Sequence, residues 1–317
     1  MSARGGPASL ADIEGGGKAA LARALAELER APDAPDSLAL LDAAFAAPRA
    51  QVVGVTGPPG VGKSTLLGRL IARYRAAGRT VGVIAVDPSS RRSGGALLGD
   101  RVRLLTDPTD EGVFVRSMAA RDRLGGLADA TMAAMVVMRA LYERVLIETV
   151  GVGQSETDVA GAADTVVFCV QPASGDSLQF MKAGIVEIPH IAVVTKADMG
   201  APARRALSDL KGAVSLAGQG HGGEDWRVES LSVAAASGQG LDDLLDALER
   251  RAAWLAEAGR LAAQRRAQAE AWLHEALRAR VGRTGVQRVR TLGLDLALPP
   301  GASPFSRLAA LSAKVSR

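Results

Sequence analysis

Short runs rich in Val and Ile recur along the chain at residues 52–56, 81–86, 145–148, 165–170 and 191–194, with apolar residues at helical spacing between them. Runs that stay apolar at successive positions belong to strands buried on both faces. Their alternation with helical patterns predicts an α/β fold, a mostly parallel sheet with helices on both faces. A last strand is expected at 228–233, and the loop Ser237-Gly238-Gln239-Gly240 then opens into a helix starting at Leu241. Ahead of the sheet, residues 18–30 and 37–45 carry helical spacing on either side of a break at Ala31-Pro32-Asp33-Ala34-Pro35. Behind it, residues 261–280 and 305–315 are again helical in pattern, with a less regular stretch at 282–300. The expected organisation is an N-terminal helical extension at 1–50, the α/β domain at 51–260, and a C-terminal helical arm at 261–317.

Composition narrows the class. The chain has 317 residues, 48% hydrophobic and 23% charged, enough for one large or two modest cores. No run approaches the roughly eighteen apolar residues a membrane helix needs, and residues 1–17 lack the basic start and apolar centre of a signal peptide, so a cytoplasmic protein with no membrane partner is expected. The lone Cys169 sits inside an apolar run, which excludes an intrachain disulfide and suits core filling. The net charge of +4 is dispersed, and aromatics at 3% are too few for base-stacking platforms, so no nucleic-acid partner is expected. His190, His221 and His274 are too scattered for a transition-metal site.

One segment carries specific chemistry. Gly57-Pro58-Pro59-Gly60-Val61-Gly62-Lys63-Ser64, followed by Thr65, comes directly after the first strand-like run and opens a helix. This is G-x-x-x-x-G-K-[ST] in its proper context. Glycines let backbone N–H groups turn inward around a phosphate chain, and the helix adds the positive end of its dipole. Lys63 is expected to reach the terminal phosphates and Ser64 to hold Mg²⁺. Arginine supplies most of the basic charge here, so a retained lysine points to the need for a compact ammonium.

Three further segments narrow the nucleotide. Thr195-Lys196-Ala197-Asp198 follows the run at 191–194, where GTPases carry Asn-Lys-x-Asp. The Asp198 carboxylate can accept from the N1–H and amino group of guanine, a donor pair adenine lacks, while the Lys196 stem covers the base. Thr195 in place of Asn is expected to weaken one contact to guanine and one link back to the phosphate loop. Glu148-Thr149-Val150-Gly151 ends another strand where GTPases place Asp-x-x-Gly. Glu148 would approach Mg²⁺ or its water, the Gly151 N–H would sense the γ-phosphate, and Gln154 is a candidate to orient the attacking water. Asp87 and Asp100 are oxygen donors that could also reach the ion.

Assembled, these segments resemble the MeaB/ArgK type of P-loop GTPases, chaperones of adenosylcobalamin-dependent acyl-CoA mutases. The resemblance runs from about Val52 to Gly240 and includes Asp87-Pro88-Ser89-Ser90, the stretch 94–101, Arg116-Ser117-Met118-Ala119, Gly125-Gly126-Leu127-Ala128, and Glu148 through Glu156 with glutamate at the switch. It implies a SIMIBI-like P-loop NTPase fold, GTP and GDP as ligands with Mg²⁺, a mutase partner, and homodimers through a C-terminal arm similar to 261–280 with 305–311. A segment like 175–185 relays nucleotide state in that family, which would place Asp176 and Lys182 in the relay. Departures fall at Arg91-Arg92-Ser93, at Thr195, and at Ala234-Ala235-Ala236, which lacks the serine of the usual Ser-Ala pair at the guanine face. Two other functions stay open on the residues: a phosphotransferase or ATPase linked to amino-acid transport, and a nucleotide-binding scaffold with little turnover.

Overall fold

The computed structural model describes residues 9–88, 106–120, 129–149, 158–172, 189–216 and 226–315. Among the described residues seven strands form one sheet: β1 Gln51–Thr56, β2 Val81–Pro88, β3 Val113–Ala120, β4 Arg144–Glu148, β5 Thr165–Val170, β6 Ile191–Val194 and β7 Glu229–Ser232. Among the described residues the α-helices are α1 Leu10–Arg30, α2 Pro35–Ala46, α3 Lys63–Ala76, α4 Asp129–Leu141, α5 Ala201–Leu216, α6 Leu241–Ala256, α7 Arg260–Thr291 and α8 Pro304–Val315.

The chain divides into two compact units. One contains Gln51–Leu127 and Arg144–Leu261, and the other joins Met1–Ala50, Ala128–Glu143 and Ala262–Arg317. The helix between β3 and β4 therefore belongs with the terminal helices, a membership that nothing in its sequence position announces.

In the sheet unit every strand pairing is parallel, in the order β3-β2-β4-β1-β5-β6-β7. The alternation of side chains explains the continuous apolar runs. On β5, Val167 and Cys169 face a core made with Leu66, Leu67 and Leu70 of α3 and Leu244 and Leu248 of α6. Phe168 and Val170, one residue out of phase, face Ala203 and Leu210 of α5. β6 repeats the pattern, Ile191 and Val193 on one side and Ala192 and Val194 on the other, so both faces are dry. The edge strand β3 was not among the expected strands, because Arg116 and Ser117 interrupt its apolar run.

The ends of the strands opposite the phosphate loop are pinned by polar groups. The Val52 N–H donates to the buried Asp164 carboxylate at 2.8 Å, and the Val166 N–H donates to Nδ1 of His190 at 2.9 Å. Trp226 Nε1 donates to the His190 carbonyl at 3.0 Å. Arg251, fully buried, lies with its guanidinium 5.1 Å from the Trp226 ring centroid and 4.3 Å from that of Trp254. With these ends fixed, β5, β6 and β7 present their carboxyl ends in a set register.

The helical unit is built around α4, whose residues 131–140 are all buried and which packs against α1 and α2. The backbone N–H groups of Arg49 and Ala50 both donate to the Arg139 carbonyl at 2.9 Å. α1 opens on a capping box, Ser9 with Asp12, and breaks at Gly17, one residue before the helical spacing expected from Lys18. α7 also breaks at Gly282, but helix resumes beyond it to Thr291 rather than ending in the irregular stretch expected from 282. The ring of Trp272 of α7 meets that of Phe305 of α8 in a tilted contact, with ring centroids 4.8 Å apart and planes at 51°. No helix among the described residues is long and apolar enough to cross a membrane.

Candidate nucleotide site

The loop between β1 and α3 sits at the centre of the sheet, because β1 is flanked by β4 on one side and β5 on the other. Gly57 has φ +136°, and a Cβ there would fall 2.2 Å from the Cys169 carbonyl oxygen on β5, so no other residue fits. Gly62, the N-cap of α3, has φ +102° and turns the chain into the helix without a side-chain cap. The first N–H groups of α3 are thus left pointing out of the helix end, the arrangement that binds phosphate.

Lys63 is buried, and its ammonium donates to the carbonyls of Gly57 at 2.7 Å and Pro58 at 3.0 Å, curled over the loop. Ser64 donates its hydroxyl to Oε1 of Glu148 at 2.7 Å, joining the start of α3 to the end of β4. Behind this contact the Thr149 hydroxyl donates to that of Thr56 at 2.8 Å, and the Thr149 N–H continues the ladder to Val55 at 3.2 Å. Cys169 lies beneath. Burial pushes its thiol up to about 12, with Lys63 pulling it down and Glu148 raising it further, so it stays protonated and unreactive.

Two further loops lie at the neighbouring strand ends, where the base is expected. After β6, Thr195 is buried and its hydroxyl donates to the carbonyl of Val61 at 2.7 Å, with the Val170 carbonyl 3.0 Å away. Lys196 adopts a left-handed backbone, φ +52°, and its ammonium donates to Oε1 of Gln171 at 2.7 Å and lies 3.4 Å from the Gly60 carbonyl. Asp198 is exposed, in the short 3₁₀ turn Ala197–Met199. After β7, Ala234 is buried and pairs with Gln239, while the Ala197 N–H reaches the Val233 carbonyl at 3.3 Å and ties the two loops together.

A model of the family described as Methylmalonyl Co-A mutase-associated GTPase MeaB matches residues 20–288. The chain belongs to that family. Among relatives, a protein named as a GTPase in Pyrococcus abyssi is 46% identical over 223 residues, 70% of this chain and 68% of that one. GTPase ArgK of Escherichia coli is 34% identical over 229 residues, 70% and 68% of the two chains. The mouse protein named methylmalonic aciduria type A homolog, mitochondrial, is 38% identical over 227 residues, which are 70% of this chain and 54% of that longer one. A solved structure described as LAO/AO transport system kinase matches 97% of this chain and 96% of its own at 27% identity and a TM-score of 0.66. This MeaB-family protein is a P-loop GTPase and a nucleotide binder.

Membership and geometry together sort the expected site residues. Gly57, Pro58, Pro59, Gly60, Val61, Gly62, Lys63 and Ser64 form one loop, Glu148 meets Ser64, and Thr195, Lys196, Asp198 and Ala234–Ala236 gather at the neighbouring strand ends. Thr65 is exposed on α3. Thr195, expected to weaken the tie to the phosphate loop relative to asparagine, makes a direct bond of 2.7 Å to the Val61 carbonyl. Asp87 lies on β2 but its side chain is outside the described residues, as are Asp100, Gly151, Gln154, Asp176, Lys182, Arg91 and Arg92.

Two residues of the site have no signal in the sequence that separates them from ordinary surface or strand-end residues. They are Gln171, which receives Lys196, and Arg69 of α3, which donates to Ala235 and Ala236.

Proposed function

We propose that the GTPase cycle of this protein gates the loading or protection of adenosylcobalamin in a partner acyl-CoA mutase. The observation that carries this reading is the family match over 20–288, joined to a phosphate loop whose Ser64 is directly coupled to the acidic end of β4. The family description names association with methylmalonyl-CoA mutase, and the mouse relative's name points the same way.

Mg²⁺ is part of the proposal, and the residues present fit it. A hydroxyl and a carboxylate, both hard oxygen donors, stand 2.7 Å apart at the head of α3, beside the helix end and the Lys63 ammonium that would take the phosphates. Ser64 would hold the ion, and Glu148 would approach it or one of its waters. When bound, the ion would supply neutralisation of the negative charge that gathers on the phosphates during transfer. Lys63 would leave the Gly57 and Pro58 carbonyls for the phosphate oxygens, offsetting charge as the bond between the γ-phosphorus and the bridging oxygen breaks. Water attacks the γ-phosphorus from the opposite side, GDP departs, and the water's proton passes to the released phosphate. Gln154 is the candidate to orient that water, and Gly151 to register the γ-phosphate. No strong general base stands among the described site residues, so a slow basal rate that a partner completes is expected.

Single-turnover GTP hydrolysis with and without purified mutase tests the proposal. A change of rate or of nucleotide affinity on adding mutase is expected, and the absence of both would remove the chaperone role. Homodimerisation through α7 and α8 belongs to the same reading and is checked by sedimentation equilibrium. The structural match to a protein described as a transport system kinase favours a second reading, phosphoryl transfer to a protein. Labelled γ-phosphate recovered on any protein would establish it.

A further inference from the structure

Arg69 lies on α3, on the exposed surface of the same helix whose first residue is Lys63. Its guanidinium makes two hydrogen bonds to one loop: Nε donates to the Ala235 carbonyl and Nη2 to the Ala236 carbonyl, both at 2.8 Å. That loop is Ala234-Ala235-Ala236, three residues with no polar side chain that could anchor it. Other bonds fix only its first residue, through Ala234 N–H to the Gln239 carbonyl at 2.9 Å and, to the Ala234 carbonyl, Gly238 N–H at 2.9 Å and the Ser237 hydroxyl at 3.3 Å. Ala235 and Ala236 are held by the arginine fork.

A planar trans peptide sends its carbonyl and the following N–H in opposite directions, and no cis bond is present among the described residues. Arg69 therefore fixes more than two carbonyls. By drawing those of Ala235 and Ala236 toward α3, it turns the N–H groups of Ala236 and Ser237 to the far side of the loop. The Val233 carbonyl, next to this loop, accepts from Ala197, inside the turn that carries Asp198.

We propose that Arg69 is the positioning residue that sets guanine recognition in this chain. Resting on the guanine reading above, the assignment divides the base between two loops. The Asp198 carboxylate takes the donor edge, N1–H and the amino group. The N–H groups of Ala236 and Ser237, aimed by Arg69, meet the carbonyl oxygen that guanine has and adenine replaces with an amino group. Arg69 touches no part of the nucleotide and acts only through the loop it holds. The polar anchor that the three alanines lack is thus supplied from the phosphate-binding helix.

The test compares wild type with Arg69→Ala and Arg69→Lys in the full chain with Mg²⁺. Affinities are measured for GDP, ADP and inorganic tripolyphosphate, and KM and kcat for GTP hydrolysis. Arg69→Ala is expected to raise KM for GTP and weaken GDP by about tenfold, the scale of losing one or two aligned hydrogen-bonding groups. The preference for GDP over ADP should fall by about the same factor. Tripolyphosphate affinity and kcat at saturation should hold within about twofold, the pattern of lost uniform binding. Arg69→Lys should recover only part of the loss, since one ammonium cannot reproduce a planar fork. Because Arg69 is exposed, both variants should keep the wild-type circular dichroism. Equal losses for tripolyphosphate and GDP, a fall in kcat, or an unchanged GDP preference would overturn the assignment. A wild-type protein that binds GDP and ADP alike would instead sink the guanine reading on which it stands, and that result needs no variant to be seen.

Discussion

The hydroxyl of Thr195 lies 2.7 Å from the carbonyl oxygen of Val61, closing a direct link between the exit of β6 and the phosphate loop. Both residues are buried, so the carbonyl has no water to fall back on. The loop after β6 and the phosphate-type loop after β1 are therefore joined by a buried hydrogen bond, beside the more exposed contact of Lys196 with the Gly60 carbonyl.

Thr195→Val keeps the shape and removes the donor. Leaving the Val61 carbonyl buried and unpaired should cost about 1–3 kcal/mol, lowering the melting temperature by roughly 2–10 °C. Thr195→Ser should restore most of it. Thermal denaturation followed by circular dichroism decides the matter, and coincident curves for wild type and Thr195→Val would show that the bond carries no weight.

Two glycines should separate steric from backbone cost. At Gly57 an added methyl would meet the Cys169 carbonyl, whereas nothing lies within 4 Å of the position it would take at Gly62. Gly62→Ala should lose only the about 1–3 kcal/mol of a strained left-handed residue and still bind nucleotide, more weakly. Gly57→Ala must also push β1 away from β5, and should abolish GDP binding by calorimetry and melt well below Gly62→Ala.

Removing the charge at the end of β4 tests its part in hydrolysis. Glu148→Gln keeps an acceptor for Ser64 but loses the carboxylate that would approach Mg²⁺ or its water. A fall in GTP turnover of about 10–100-fold is expected, with the Mg²⁺ concentration for half-maximal rate moved upward, while GDP affinity measured without the metal stays close to wild type. Turnover unchanged across a magnesium titration would remove Glu148 from the metal side of the mechanism.

The buried thiol gives a pH prediction with a definite sign. Cys169 is pushed up from 9.0 to about 12 by burial, so the folded state keeps its proton where the unfolded chain has lost it. The contribution is whole below about pH 9 and is lost as pH climbs toward 12, at a slope near 1.4 kcal/mol per pH unit. Cys169→Ala should flatten the alkaline fall in denaturant-measured stability over that window. The folded wild type should also resist a thiol reagent at pH 8 that labels it at once in denaturant.

Much of the sheet could be read in advance because its signal is local. Val167 and Cys169 alternate with Phe168 and Val170 between two covered faces, and such a strand is apolar at every position. The phosphate loop is equally legible, since Gly57, Gly62 and Lys63 must follow one another for the backbone to close on an anion. β3 escaped because Arg116 stands on an edge strand, where a charge is tolerated and the apolar run is cut short. The roles of Arg69 and Gln171 escaped for another reason. Each depends on a partner more than twenty residues away, and an arginine on a helix looks the same whether it meets water or the carbonyls of Ala235 and Ala236.

The three-piece make-up of the helical unit bears on how the polypeptide is born. A ribosome releases all seven strands before α7 and α8, yet α8 is what packs on α2, near the other end of the chain. While translation continues, that side of α2 stays wet and open to trigger-type holdases or proteases, even after the GTPase core has had its chance to close. Fusions or stop codons late in the reading frame should therefore harm solubility sooner than they harm nucleotide chemistry.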